Sequence, residues 1–457
     1  MRTLPVLSVI FLSAILIGCG LARHRAIPTE VTWAKSYGGT NNDYAQSVEQ
    51  TRDGGYIVAG HTDSFGAVNS DFWVLKLNSD GTVSWQKGYG GAGIDYADSI
   101  QQTRDGGYIL VGSTNSFSAG DLDSWVLKLN SDGTISWQKR YGGASDDWAC
   151  SIQQTSDDGY IATGHTRSFG QANSAGNLWV LKLKSDGAVS WQKRYGGTDL
   201  EDANSIQQTS DGGYIVAGLT CSFGSGDSDF WILRLNSDGT VAWQKRYGST
   251  GSESASSIQQ TSDGGYIVAG HTDSFGAGEN TPDFWLLKLK SDGAVSWQKR
   301  YGGAGRDEAH SVHQTNDGGY IVAGSTYSFG AGDYDFWVLK LKSDGSVAWQ
   351  KRYGGGRDDS AYSIHQTNDG GYIVAGWTDS FGAGDYLDFW VLKLKSDGTI
   401  PFNPASGAQM TDTNAVPVDT NCTVTDTTAT AVDTSATVTD TNATIVDTNA
   451  TIVQQAP

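Results

Sequence analysis

The chain has 457 residues, including 60 Gly, 16 Trp and 20 Tyr, and a formal charge of −19. An acidic chain without a Lys/Arg cluster lacks the electrostatic footprint that nucleic-acid binding requires. Glycine at this level supplies turns and the aromatics supply buried area, so the composition reads as strands joined by tight turns.

The first segment, "MRTLPVLSVIFLSAILIGCG", puts one Arg before an apolar run from Leu4 to Ile17. The run is shorter than the ~20 residues of a spanning helix and suits the core of a signal peptide. It ends in Leu16-Ile17-Gly18-Cys19, which resembles the lipobox of bacterial lipoproteins. That resemblance implies a leader over 1–18, lipidation at Cys19 and a linker over 19–30. It implies a chain anchored, outside the cytoplasm, to the cell membrane or the outer membrane. Gly20 stands where an inner-membrane retention signal would have Asp, which favours the outer membrane.

A repeat follows. "DGGYIVAGHTDSFGA" at 53–67 returns unchanged at 263–277, and near copies start at Asp105, Asp157, Asp211, Asp317 and Asp369. "TWAK", "SWQK" and "AWQK" place Trp33, Trp85, Trp137, Trp191, Trp243, Trp297 and Trp349 at intervals of 52 or 54 residues. Each unit holds four strand-like runs; in the second they are "DSIQQT", "GYILVG", "SWVLKL" and "TISWQK". Four strands in about fifty residues make one blade, so the chain is expected to be all-β: a seven-bladed β-propeller of four-stranded antiparallel blades over 31–404. A β-helix needs a shorter period, and the Tyr-to-Trp spacing of kelch repeats is absent.

Gly81 precedes Trp85 by four residues, and this Gly-x-x-x-Trp spacing recurs through the sixth unit. It resembles the tryptophan-docking motif of quinoprotein-like propellers, in which the outermost-strand Trp packs on the next blade. The pattern as a whole resembles bacterial β-propeller repeat lipoproteins. The adjacent cysteine pair of many quinone-dependent dehydrogenases is missing, so the resemblance implies the fold and no cofactor. Cys150, Cys221 and Cys422 show no metal-ligand spacing.

The seventh unit ends "SDGTIPFNP", with Phe402 in place of Trp, whereas "VTWAKSYGG" at 31–39 is a fourth strand without three before it. The N-terminal strand is therefore expected to complete the seventh blade and close the ring. Fourth strands start at the short, uniform turns, so the lipid tether would lie on that face. In the tail, 405–457, Asp recurs every seven residues from Asp412 to Asp447. Weak helix formers and the absence of Lys and Arg suggest a disordered or extended stalk, with a small β-structure as the alternative.

Seven copies in one chain permit an internal comparison: residues in every blade are framework, and residues in one or two are candidates for function. The loops between strands 2 and 3 and between blades carry every length change, and such insertions often mark a binding face. The aromatics outside the framework fall on or near it: Tyr44, Tyr96 and Trp148 at one inter-blade position, and Tyr327, Tyr334, Tyr362, Trp377 and Tyr386 in the sixth and seventh units. The first position becomes Asp202, Ser254, Glu308 and Ser360 in later blades.

A repeated acid (Asp43, Asp95, Asp147, Glu201, Glu253, Asp307, Asp359) reads as a loop acceptor of backbone N–H groups, because seven equivalent carboxylates lack the distinct environments of an acid–base pair. The pairs Asp121/Asp123, Asp227/Asp229 and Asp333/Asp335 offer too few oxygens for calcium. His61, His165 and His271 fall too far apart to share a metal, and His310 and His313, three apart on a strand, are expected on opposite faces. No metal and no catalytic residue is indicated. The reading is a lipid-anchored binding or scaffold module whose partners, besides the membrane, are a protein or a polysaccharide. The alternative is a polysaccharide hydrolase of endoglucanase type.

Overall fold

The computed structural model describes residues 31–400, apart from the loop tips 66–68, 119–120, 170–174, 224–225, 277–280, 331–332 and 383–384, together with seven short segments between 409 and 454. Every described element is a strand. In the first blade Asp43–Gln50, Tyr56–Thr62, Asp71–Leu77 and Val83–Gly90 pair in sequence, each antiparallel to the next. The pattern repeats through the sixth blade. The seventh contributes Asp359–Gln366, Tyr372–Thr378 and Asp388–Leu394, and its fourth strand is Trp33–Gly38, antiparallel with Trp33 opposite Lys393. The closure expected from the sequence is thus present.

The repeated phrases each have a physical task. "DFWVLKL" is buried along its whole length, because both faces of the third strand meet neighbouring blades. Its Lys reaches back to the "DGG" turn: Lys76 Nζ lies 2.9 Å from Asp53, and Asp53 also accepts from Gly55 N at 3.0 Å. Gly54 takes φ +84° in that turn, and in the third blade Asp158 holds the same place at φ +63°. A non-glycine residue in this region is strained, and it is the one departure from the phrase.

Adjacent blades are clamped at the outside. Each fourth-strand Trp donates its indole N–H to the Ser carbonyl of the next blade's "SDG" turn, from Trp33 to Ser79 at 3.0 Å through to Trp349 to Ser396 at 3.3 Å. A Tyr four residues on donates its hydroxyl to the Gly carbonyl of the same turn, as Tyr37 does to Gly81 at 2.6 Å. Gly81 sits at φ +76°, and a Cβ there would lie 2.8 Å from the Trp33 ring. The docking is as expected, but the docked indoles are only half-buried, except Trp33 at 6% exposure. The fully enclosed set is the third-strand one, Trp73 through Trp390.

The first strands line the central channel, and "SIQQ" binds each blade to its neighbour there. Seven Ser hydroxyls accept backbone N–H groups of the following blade, closing a ring from Ser47–Ile100 to Ser363–Val48 at 3.2–3.4 Å. The last Gln of the phrase forms a second complete ring, as Arg52 N donates to Gln102 at 2.9 Å.

All seven first strands carry a β-bulge two residues before the Ile or Val, as between Ala45 and Ser47. The extra residue breaks strict alternation. This corrects the expectation for His310 and His313. The bulge between Ala309 and Ser311 turns both toward the channel, where His310 stacks on Tyr362 and His313 lies beside His365.

The repeated acid is a loop acceptor, as read from the sequence: Asp43 takes bonds from Gly39 N and Ser64 Oγ at 2.9 Å and from the Thr62 hydroxyl. The second Asp of each Asp pair is ion-paired to the Arg of "RYG", as Arg246–Asp229 at 2.9 Å shows.

Seven short segments of the tail are described. Gln409–Asp412, Val418–Asp419, Thr423–Asp426, Val432–Asp433, Thr437–Asp440, Thr444–Asp447 and Thr451–Gln454 lie antiparallel along the fourth strands of blades six, five, four, three, two, one and seven. An outer strand left unpaired offers a row of backbone donors and acceptors, and the β-branched residues of the heptads favour the extended chain that satisfies them.

Closure through the N-terminal strand makes one clamp worth more than the others. Trp33→Ala is expected to cost about 3–5 kcal/mol, the range for a buried aromatic, and half-exposed Trp85→Ala distinctly less. Denaturant midpoints of the two variants check the order.

Candidate functional site

Applied to the first and second strands, the internal comparison locates the site. Going down the channel from the variable face, the first layer is Tyr44, Tyr96, Trp148, Asp202, Ser254, Glu308 and Ser360. The bulged residue supplies the second: Gln46, Asp98, Cys150, Asn204, Ser256, His310 and Tyr362. Below them lie the constant Ser ring and a layer of Glu49, four Gln, His313 and His365, which together enclose a cavity of ≈ 200 Å³. The second-strand residue paired with the first layer also varies, as Tyr44 faces His61, Trp148 faces His165 and Ser360 faces Trp377. Identity therefore changes from blade to blade at the channel mouth and is almost fixed below it.

At the mouth, aromatic rings run continuously across blades seven, one and two. Trp377 meets Tyr44 edge-on at 6.0 Å, Tyr44 stacks on His61 at 4.8 Å, and His61 meets Tyr96 at 4.5 Å. Trp148 stacks on His165 in the third blade at 4.2 Å and 11°. The Tyr and Trp rings are half-buried and braced against one another or against His61 and His165.

The acids are spread around the opening: Asp98 lies on the second blade just below Tyr96, Asp202 on the fourth and Glu308 on the sixth. Withdrawal from bulk water pushes Asp98 and Asp202 up to about 7. Glu308, although also desolvated, is held below the usual range by His271, His310 and Arg306, whose Nε donates to it at 2.7 Å. The Cys150 thiol, on the third blade between Asp98 and Asp202, bonds the Ala203 carbonyl at 2.8 Å, with its pKa raised by burial and by Asp202 and Asp98. Among the described residues, no three His, Cys, Asp or Glu side chains gather as metal ligands.

The eight aromatics singled out from the sequence do not form one group. Tyr44, Tyr96, Trp148, Trp377 and Tyr362 belong to the mouth. Tyr327 and Tyr334 pack together at 5.5 Å in the sixth blade's loop, and Tyr386 stands alone in the seventh's; Tyr327 and Tyr386 are 49% and 46% exposed. Cys19 lies outside the described residues. Sequence reasoning passed over Asp98, His61, His165, His310, Glu49, His313 and His365 as parts of one site. The signal was there, since each breaks the blade pattern, but the comparison was confined to aromatics and the bulge hid the facing of the second layer.

A family described as a domain of unknown function (DUF5122) beta-propeller matches residues 209–241 and 315–347, two stretches within the fourth and sixth blades. No curated protein matches the chain. Among solved structures, the Pan2 WD40 domain of Neurospora crassa is 10% identical, with a TM-score of 0.45 over 76% of this chain and 88% of that one. Sqt1 of Chaetomium thermophilum is 10% identical, with a TM-score of 0.46 over 84% and 88%. An endo-1,5-alpha-L-arabinanase from Thermotoga petrophila is 9% identical, with a TM-score of 0.29 over 78% and 100%. The protein is, by its own strand pairing, a seven-bladed β-propeller.

The channel histidines give the site a pH signature. Enclosure lowers His365 to about 4 and His313 well below its ordinary value. Below the free value of about 6.5 the unfolded chain takes up protons that the folded chain refuses, so their contribution to stability is lost as pH falls toward 4. His313→Gln/His365→Gln, which installs the residue of blades two to five, removes that loss. The melting temperature of this variant relative to the parent should rise between pH 7.5 and pH 5; thermal unfolding at the two pH values checks it.

Proposed function

We propose that the chain is a non-catalytic binding propeller, anchored to a membrane by a lipid on Cys19, that captures a polysaccharide or protein partner at the channel mouth. The observation that carries this reading is the concentration of blade-to-blade differences at the mouth. A fold that needs the same residue seven times has no structural use for Tyr, Trp, Asp, Ser and Glu at one equivalent position. Flat rings beside carboxyl groups suit a sugar, whose C–H face stacks on an aromatic while its hydroxyls take hydrogen bonds, or a polar-edged side-chain cluster of a protein. The strand ends from which the length-variable connections leave, such as Thr166, Thr272 and Thr378, lie at this opening, and the uniform face is left for the tether.

A second reading, hydrolysis of a polysaccharide, has one observation behind it. The acids of the mouth differ from blade to blade, with Asp98 and Asp202 raised to about 7 and Glu308 lowered. Separated carboxyl pKa values are what acid–base cleavage of a glycosidic bond uses.

A glycan array probed with the full chain, followed by titration of the best glycan, tests the first reading. Trp148→Ala and Trp377→Ala should each weaken binding at least tenfold and leave the melting temperature within a few degrees of the parent. Tyr386→Ala, in the seventh-blade loop, should change neither. Release of reducing ends from β-glucans, abolished by Asp202→Asn, would instead favour the hydrolase.

A further inference from the structure

The geometry points to a second binding surface: the outer edges of the seven blades form a strand-binding rim whose occupant is this chain's own heptad tail, held in register by an Asp in the tail opposite a Lys on the blade. The tail supplies one segment per blade, and the register is the same throughout. Asp412 opposes Lys351, Asp419 opposes Lys299, Asp426 opposes Lys245, and so on to Asp447 opposite Lys87. The Lys is the one in "WQK", and the Asp is the one that recurs every seven residues. On the seventh blade, where the next heptad position is Gln454, the facing residue is Lys35, whose ammonium already bonds the Asp80 carbonyl at 2.9 Å.

A second, independent mark agrees. Wherever four residues pair, the one two before that position is apolar and faces the framework Tyr, as Val438 faces Tyr141 and Ile445 faces Tyr89. A one-residue slip would lose both matches at once. On the fifth and third blades the pairing shortens to two residues, Val418–Asp419 and Val432–Asp433.

The direction is also consistent. Successive strands of a blade turn by roughly 20–25° each, so the fourth runs well away from the channel axis and along the rim. Each fourth strand leads on toward the following blade, so a segment antiparallel to it must run back toward the preceding one. The tail does this, visiting blades six through one and then seven. Seven heptad positions for seven edges in one chain make the tail of the same copy the occupant. Opposite charges at facing positions set register more than they add strength, and a covered edge no longer templates pairing with another chain.

Disulfide trapping in the full chain tests this. With Cys150, Cys221 and Cys422 replaced by Ser, Lys139→Cys/Asp440→Cys should oxidise to a crosslinked monomer. Lys139→Cys/Thr439→Cys, one residue out of register, should form the bond at least tenfold more slowly. No crosslink, or equal rates for the two pairs, would overturn the register; a crosslinked dimer would show that the occupant is a second copy. Hydrogen exchange reads the role of charge without cysteines. Asp440→Lys should speed exchange of the Ile135–Gly142 amides several-fold, and adding Lys139→Asp should restore it. Exchange that ignores both changes would remove charge from the account.

Discussion

The structure depends on one contact made seven times: a Trp and a Tyr of one blade gripping the "SDG" turn of the next. The turn must present two carbonyls outward, which its left-handed Gly allows, and the indole and phenol must arrive together from one strand. Neither blade supplies the contact alone. A blade is therefore stable only in company, and the ring is stable only when the last blade meets the first. The N-terminal strand meets that constraint by carrying Trp33 and Tyr37 from the start of the chain to its end.

The inner circumference obeys the same logic with hydrogen bonds. Ser side chains of "SIQQ" satisfy the backbone of the following blade and the last Gln that of the preceding one, so these positions cannot drift without leaving a backbone donor unpaired. Constraint relaxes mainly at and above the bulge, where the first strand's side chains face one another across an opening; below it Glu49, His313 and His365 alone replace Gln. The opening is where Tyr, Trp, Asp, Glu and His replace one another from blade to blade, and where a ligand could be met by groups the framework does not need.

Much of this was legible in the sequence. Regular Trp spacing, four short runs per repeat and the orphan strand at 31–39 specify seven blades and their closure, because each follows from local pattern and count. The aromatics of the mouth were legible too, since Tyr44, Tyr96 and Trp148 interrupt an otherwise uniform position. Its acids were less so. Asp98 and His310 occupy the bulged residue, and a bulge shifts facing by one without a mark in the sequence. The tail was read as a stalk because Thr, Asn and Asp carry little intrinsic preference. Its strands depend on an edge supplied by distant residues, and only the shared register of Asp with Lys makes the heptad intelligible.

The central claim is that framework and site are separate, with the site at the channel mouth. The most direct test replaces four of the five mouth aromatics by the residue that other blades already hold there: Tyr44→Ser, Tyr96→Ser, Trp148→Ser and Trp377→Ser in one chain. Thermal unfolding and binding to the glycan array are then measured on the same preparation. The account predicts one cooperative transition within a few degrees of the parent and loss of binding. A variant that fails to fold, or that folds and binds as the parent does, would contradict it.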